Sequence, residues 1–267
     1  MTTFLDKIMA TTLLRVMERK AAADIPLMEM RAKVHRPRGF GSRLRTVAAT
    51  GPAIVAELKK ASPSRGVLRP TYQPVHIASA FESVGAAAIS VLTDEGYFQG
   101  SLADLQAVSD VVSIPVLRKD FILDPFQIME ARVAGADAVL LIVAAHPDDV
   151  LASLFAEAKR WGLDVLCEVH DREELERAVQ LGFQIIGVNS RDLKTLTVDP
   201  NVHHELAPFI PTSAIAVAES GIRNPSDVER LIGAGYNAFL IGEAFMRQPD
   251  PAAMLALFTG ADYASEL

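Results

Sequence analysis

Glu57 and Lys59 stand two residues apart, after the apolar run Ile54-Val55-Ala56 and just before Ser62-Pro63-Ser64. In an extended strand, residues i and i+2 face the same way, so a carboxylate and an ammonium share one side of the chain here. Such a pair serves equally as a salt bridge closing a strand or as part of an acid–base site. Other apolar runs end in the same manner. Leu117 is followed by Arg118-Lys119-Asp120, Cys167 by Glu168, Val188 by Asn189-Ser190-Arg191, Ala218 by Glu219-Ser220-Gly221, and Ile241 by Gly242-Glu243. Lysines and carboxylates together can donate and accept protons, and the planar fork of Arg191 suits a carboxylate. Ser220-Gly221 and Gly242-Glu243 are small enough to bring backbone N–H groups against an anion; tight turns use glycine too.

The elements that must position these residues follow one theme. Apolar runs at 53–58, 88–92, 115–117, 138–143, 164–167, 185–188, 215–218 and 238–241 are rich in Val, Ile and Ala. They are too short for helices and lack polar alternation, so they read as strands buried on both faces. Amphipathic helical patterns lie between them at 125–134, 147–161, 171–181 and 225–234, each beginning near Pro, Asp or Ser. Gly85, Gly135, Gly162, Gly182 and Gly235 precede the strands, where a left-handed residue turns the chain back to the sheet. Eight such units predict a (β/α)8 barrel rather than a doubly wound sheet. Active sites of that fold lie at the C-terminal strand ends, where the ionisable residues fall, and its phosphate sites commonly use the loops after strands seven and eight.

Residues 1–50 fall outside this count. Leu5, Ile8, Met9, Leu13, Leu14, Val16 and Met17 form an apolar stripe on a helix over 4–20, and 28–32 continues the character. The expectation is an N-terminal helical extension (1–50) covering a barrel end or a dimer surface, and a catalytic barrel over 51–267. The basic run from Arg31 to Arg45 reads as a solvated linker, with local attraction of an anionic ligand as its other use.

Composition narrows the function classes. A net charge of −7 argues against general nucleic-acid binding. The single cysteine, Cys167, permits no intrachain disulfide and fits a reducing compartment; alternation turns it outward when Glu168 faces in. His203-His204 near Asp199 is a poor metal site, because adjacent side chains on a helix diverge. Asp6 and Lys7 interrupt the N-terminus early, and no run reaches the roughly 20 apolar residues of a membrane span. A cytoplasmic protein with no membrane contact is expected. Neither a G-x-G-x-x-G after a strand nor a G-x-x-x-x-G-K-[ST] occurs, so nucleotide folds lose their main motifs.

The motifs also carry a resemblance. Glu57-x-Lys59-x-x-Ser62-Pro63-Ser64, Leu92-Thr93-Asp94-x-x-Tyr97-Phe98-x-Gly100-Ser101, Leu117-x-Lys119-Asp120-Phe121-Ile122, the run from Gly135 to Ile142, Glu168-Val169-His170, Gly187-Val188-Asn189-Ser190-Arg191-Asp192-Leu193 and Ala218-Glu219-Ser220-Gly221-Ile222 resemble, in order, indole-3-glycerol phosphate synthase of tryptophan biosynthesis. Arg65, where Lys is common, and Ala244-Phe245, where Ser-Leu is common, depart from that pattern. At 267 residues, no fused second barrel is expected.

The resemblance implies a carbon–carbon lyase converting 1-(2-carboxyphenylamino)-1-deoxyribulose 5-phosphate to indole-3-glycerol phosphate, with loss of carbon dioxide and water. Lys119 is then expected to be the acid, held charged by carboxylates such as Glu57, and Glu168 the base, with Lys59 or Lys119 assisting departure of the hydroxyl. Asn189 and Glu219 would orient hydroxyls and lysines, and Arg191 a carboxylate. Phe98, Phe121 and Leu140 would line the anthranilate pocket, with Ser62 and Ser220 also on the substrate. Ser220, Gly221, Gly242 and Glu243 would hold the phosphate. Neither metal nor organic cofactor is expected. The partner is a small anionic phosphorylated substrate, and the chain is expected to be a monomer or weak homo-oligomer. Other phosphate-binding barrels, such as phosphoribosylanthranilate isomerase or the tryptophan synthase α chain, lack the Glu57–Ser64 motif. A phosphate-sensing barrel without turnover would show gaps among the rim residues, and none is seen.

Overall fold

The computed structural model describes residues 3–263; the ends of the expected extension and barrel, 1–2 and 264–267, lie outside the described residues. Among the described residues, eight parallel strands close into a barrel: β1 (Ala53–Leu58), β2 (Ala88–Leu92), β3 (Val116–Lys119), β4 (Ala138–Ile142), β5 (Asp164–Val169), β6 (Ile185–Asn189), β7 (Ile215–Glu219) and β8 (Ala238–Ile241). Neighbours in sequence are neighbours in space, and β1 pairs with both β2 and β8 to complete the ring. The strands are buried almost throughout, as double-sided runs require.

Alternation divides each strand between two cores. Val55, Leu117, Leu140, Leu166, Val217 and Leu240 fill the barrel interior. Ile54, Val116, Val139, Cys167, Val188 and Ala218 face outward into the layer beneath the helices. The helices are α4 (Pro74–Ser83), α5 (Leu102–Ser109), α6 (Pro125–Val133), α7 (Asp148–Arg160), α8 (Arg172–Gln180), α9 (Asn201–Leu206), α10 (Pro225–Ala234), α11 (Glu243–Met246) and α12 (Pro251–Thr259), preceded by three more in the N-terminal segment. Their starts are capped chemically: Ser101, Asp124, Asp171 and Asn224 accept hydrogen bonds from first-turn N–H groups, and Asp124 forms a capping box with Gln127. The glycines before the strands are all left-handed; Gly135 and Gly235, for example, have φ of 84° and 108°.

The N-terminal segment reaches both ends of the barrel. In α1 (Phe4–Ala22), Leu5 and Ile8 face the cavity at the C-terminal rim, and Phe4 packs edge-on against Tyr97 of the loop after β2. The expected stripe needs correction: Leu5, Ile8, Thr12 and Val16 are buried, whereas Leu13, Leu14 and Met17 are exposed. The helix lies on its neighbours along a narrower face than its composition implies. From there α2 (Ile25–Ala32) descends along α6, and α3 (Phe40–Ala48) plugs the opposite end. Phe40 and Leu44 pack there against Ala53, Ala138, Ile185, Ile215 and Ala238, the first residues of their strands. The basic run is therefore not simply a solvated linker. Arg38 donates from its backbone N–H and its guanidinium to the buried Asp137 at the foot of β4, and His35 pairs with the same carboxylate.

Candidate active site

Polar residues end the strands on one rim, and every residue of the expected site lines a single cavity of about 1120 Å³ there. Lys119, Asn189 and Glu219 are the last residues of β3, β6 and β7; Glu168 is the penultimate residue of β5. Pattern reading stopped the strands earlier, yet the ladder continues: Glu168 pairs in register with Ile142 and Gly187, and Asn189 with Glu219.

Lys119 is the centre. Its Nζ donates to Glu168 Oε2 at 2.6 Å and lies 3.0 Å from Glu219 Oε2. Burial alone would lower the ammonium's pKa, but the charges of Glu168, Glu219 and Glu57 outweigh it and raise it instead. Glu57 is the third of the carboxylates that hold Lys119 charged, after Glu168 and Glu219. Glu57 acts from farther away, because its own ion pair is with Lys59, across the i, i+2 spacing.

The two carboxylates beside Lys119 differ in character. Burial would raise Glu168, but Lys119 and His170 pull it well below the usual carboxylate range. Glu219 is pushed up to about 8, first by burial and then by the charge of Glu168, which Lys119 only partly offsets. Neither oxygen of Glu219 has hydrogen-bond geometry to a partner among the described residues, although both are buried. Space for this carboxylate comes from Gly187, where any Cβ would collide with it. Gly242 does the same for Glu57, with a Cβ there falling 2.5 Å from Glu57 Oε1. That need for smallness was not visible in sequence, where Gly242 read as a route for an anion to the backbone or as a tight turn.

His170 is the main group that sequence reasoning passed over, although it sat inside a quoted motif. Its Nδ1 lies 3.0 Å from Glu174 and its Nε2 3.3 Å from Glu168, which places it behind the carboxylate on the side away from Lys119. Burial would lower its pKa, but the neighbouring carboxylates of Glu168 and Glu174 raise it to about 10. His203, by contrast, is a satisfied core histidine. Its Nε2 donates to the carbonyls of Glu219 and Val188, while His204 points to solvent. Burial raises the Cys167 thiol, which faces outward and reaches no part of the cavity.

Two ends of the cavity have different chemistry. Phe98 and Phe121, with ring centroids 6.4 Å apart, Leu140, Leu5 and Ile8 form an apolar wall. Asp94 shapes it by accepting from the N–H groups of Tyr97 and Phe98, and the adjoining Gln99 takes a left-handed φ of 54°. The other end is polar and backbone-rich. Ser220 and Gly221 have successive φ of 64° and 74°, and Gly242 with Glu243 lies across from them after β8. A non-glycine residue held left-handed is strained, and such strain gathers at ligand clamps. Cations also stand at this mouth: Arg65 and Arg247, which had no expected role, reach within 3.4 Å and 3.5 Å of the Glu243 carboxylate, and the expected Arg191 within 3.7 Å. Arg223 lines the same mouth. Loop cations gave no periodic signal by which sequence could place them. Ser62 is buried in a short hairpin (Ala61–Ser62 with Gly66–Val67) over the rim, its hydroxyl without a partner among the described residues.

A closed parallel barrel with a lysine–carboxylate cluster on its C-terminal rim defines a TIM-barrel enzyme. The family model described as indole-3-glycerol phosphate synthase matches residues 5–257, and the chain belongs to that family. A protein of Koribacter versatilis named indole-3-glycerol phosphate synthase is 55% identical, covering 91% of this chain and 93% of its own length. One of the same name from Rhodospirillum rubrum is 47% identical, over 94% of this chain and 96% of the relative. Among solved structures, an N-acetylmannosamine-6-phosphate 2-epimerase of Clostridium perfringens shares the fold, with a TM-score of 0.59 over 76% of this chain and 91% of that one. At 15% identity that likeness concerns the fold alone.

Proposed function

We propose that this chain converts 1-(2-carboxyphenylamino)-1-deoxyribulose 5-phosphate to indole-3-glycerol phosphate, carbon dioxide and water. The observation that carries the reading is Lys119 held between Glu168 and Glu219 on the rim, with an apolar wall on one side and a strained, backbone-lined cradle on the other. The aryl ring lies against Phe98, Phe121 and Leu140. The phosphate lies on the backbone of Ser220, Gly221, Gly242 and Glu243, with arginines around it. Held at both ends, the substrate folds so that the ring carbon bearing the carboxylate meets the ketone carbon.

Lys119 gives a proton to the ketone oxygen as the carbon–carbon bond forms. Departure of carbon dioxide returns its bonding electrons to the ring system. The new hydroxyl then leaves as water, assisted by Lys59 or Lys119, and Glu168 takes the remaining proton. Glu168 is ionised near neutral pH because Lys119 and His170 outweigh its burial. Glu219 and Asn189 hold substrate hydroxyls, Ser62 a polar edge of the substrate and Arg191 a carboxylate. Residues 51–267 form the catalytic barrel in this reading and 1–50 its extension. Among the described residues no helix is long and apolar enough to cross a membrane, and a cytoplasmic location is part of the proposal.

The test is direct. Purified protein incubated with the carboxyphenylamino substrate should generate indole fluorescence with no metal or organic cofactor added. Absence of turnover overturns the reading, and activity lost to EDTA and restored by a divalent ion overturns the cofactor expectation.

A further inference from the structure

Arg118 is the largest fully buried side chain among the described residues, only 1% exposed, and it carries a charge. It follows Leu117 and precedes Lys119 on β3, so alternation sends it out of the barrel as Lys119 points in. Its Nη2 donates to Asp120 Oδ2 at 2.8 Å and its Nη1 to the Gln127 carbonyl at 2.6 Å. Its Nε lies 3.1 Å from Thr93 Oγ1 and 3.3 Å from Asp120 Oδ2, and its Nη1 is 3.4 Å from Glu130 Oε2. Glu130 in turn accepts both Nε and Nη2 of Arg19 from α1, at 2.7 Å and 3.1 Å. Two cations and two carboxylates thus form a balanced chain from the N-terminal helix to the strand end.

The partners of this chain also shape the site. Asp120 Oδ2 accepts from Thr93, and its Oδ1 accepts the N–H of Phe121. Gln127 donates to the Phe121 carbonyl and accepts from Leu123 and Asp124, so the loop after β3 is tied to the start of α6. Lys20 of α1 adds a second anchor, on Asp124. An apolar side chain would fill the space behind β3 without the cost of burying a guanidinium. The five N–H donors of arginine do what that side chain could not, by fixing the strand end, its loop, α6 and α1 to one another.

We propose that Arg118, linked through Glu130 to Arg19, is a positioning residue for Lys119 and Phe121, so that docking of α1 sets the geometry of the acid. This rests on the reading of Lys119 as the acid. Arg118 touches no part of the cavity, and it acts by holding the backbone on either side of Lys119.

The experiment compares Arg118→Lys, Arg118→Met, Arg19→Gln and Glu130→Gln with Lys119→Ala, by indole fluorescence and thermal melting. Arg118→Lys keeps the charge but loses the fork. It should melt higher than Arg118→Met yet show kcat about tenfold down with a far smaller change in KM, the scale of a small misplacement of a catalytic group. Arg19→Gln, on a partly exposed side chain, should fold and lower kcat in the same direction, and it should add little in a Glu130→Gln background. If the Arg118 and Arg19 variants melt lower but turn over at the wild-type kcat while Lys119→Ala is inactive, the positioning role is wrong and the acid assignment stands. Near-normal turnover in Lys119→Ala overturns the acid assignment and this role with it.

Discussion

Lys119, Glu168, Glu219 and His170 show how one buried cluster can keep a proton donor and a proton acceptor within hydrogen-bond reach. The lysine stays charged because three carboxylates outweigh its burial, and Glu168 stays ionised because two cations outweigh its own. Lys119→Ala should reduce turnover by roughly 100-fold or more, the scale of general acid–base catalysis. Glu168→Gln should do likewise while substrate still binds; near-normal single-turnover rates in either variant would remove its assigned role. The cluster also predicts a pH trend in stability. His170 is raised from an ordinary 6.5 to about 10, so the folded chain binds that proton more tightly than the unfolded one. Its contribution is complete below the unfolded value and disappears as pH rises through about 10. Glu219, raised from 4.5 to about 8, has the same sign and loses its contribution as pH rises through about 8. The melting temperature should therefore fall from pH 7 to 10, and His170→Gln should flatten the upper part of that fall; an unchanged slope would show that His170 does not carry it.

At the scale of elements, the barrel strands supply direction and the glycines supply room. Gly221, at φ 74°, lies 3.1 Å from Ser190 Oγ and 3.2 Å from a Val198 methyl when a Cβ is added. Gly221→Val should both strain the turn and weaken any phosphate-bearing ligand. Gly242→Ala should lower kcat/KM and the melting temperature together, because a Cβ there meets the Glu57 Cβ at 2.9 Å as well as its Oε1 at 2.5 Å, and the Cβ is fixed to the strand; normal kinetics would show that Glu57 has slack. Much of this architecture was legible in the sequence. The eight apolar runs became the eight strands, and 53–58, 88–92 and 238–241 kept their bounds. Helix starts followed Pro, Asp and Ser because caps are local chemistry. Strand ends were read short wherever a polar residue closed the run, since Lys119, Glu168, Asn189 and Glu219 remain in the ladder while facing the cavity. The amphipathic reading of α1 took in Leu13, Leu14 and Met17, which face solvent, because composition names a stripe without saying which part of it meets a neighbour. Contacts across more than a hundred residues, such as Arg19 with Glu130, had no pattern to announce them.

At the scale of the molecule, one N-terminal segment serves two barrel ends with different physical demands. At the rim, Leu5 and Ile8 close the apolar side of the cavity, and a cover there excludes water and strengthens the charge interactions beneath it. At the foot, Phe40 and Leu44 are fully buried against the first residues of the strands and far along the interior column from Lys119. Conserving the fold and assembling the site are thereby divided between α1 and α3, in keeping with the division between the two faces of this architecture. Phe40→Ala should cost about 3–5 kcal/mol through the cavity it leaves, which for a chain of this size is a fall in melting temperature of roughly 10 °C. Its kcat and KM, measured well below the transition, should stay near those of the parent. Deleting residues 1–30 should do the reverse, raising KM by more than its loss of stability accounts for and, because Arg19 goes with it, lowering kcat as well. The paired measurement decides between a shaping and a merely supporting segment: a truncated protein that melts far lower yet binds and turns over substrate normally while folded would make α1 a prop, and a Phe40→Ala protein with raised KM would show that the two ends are coupled through the barrel interior.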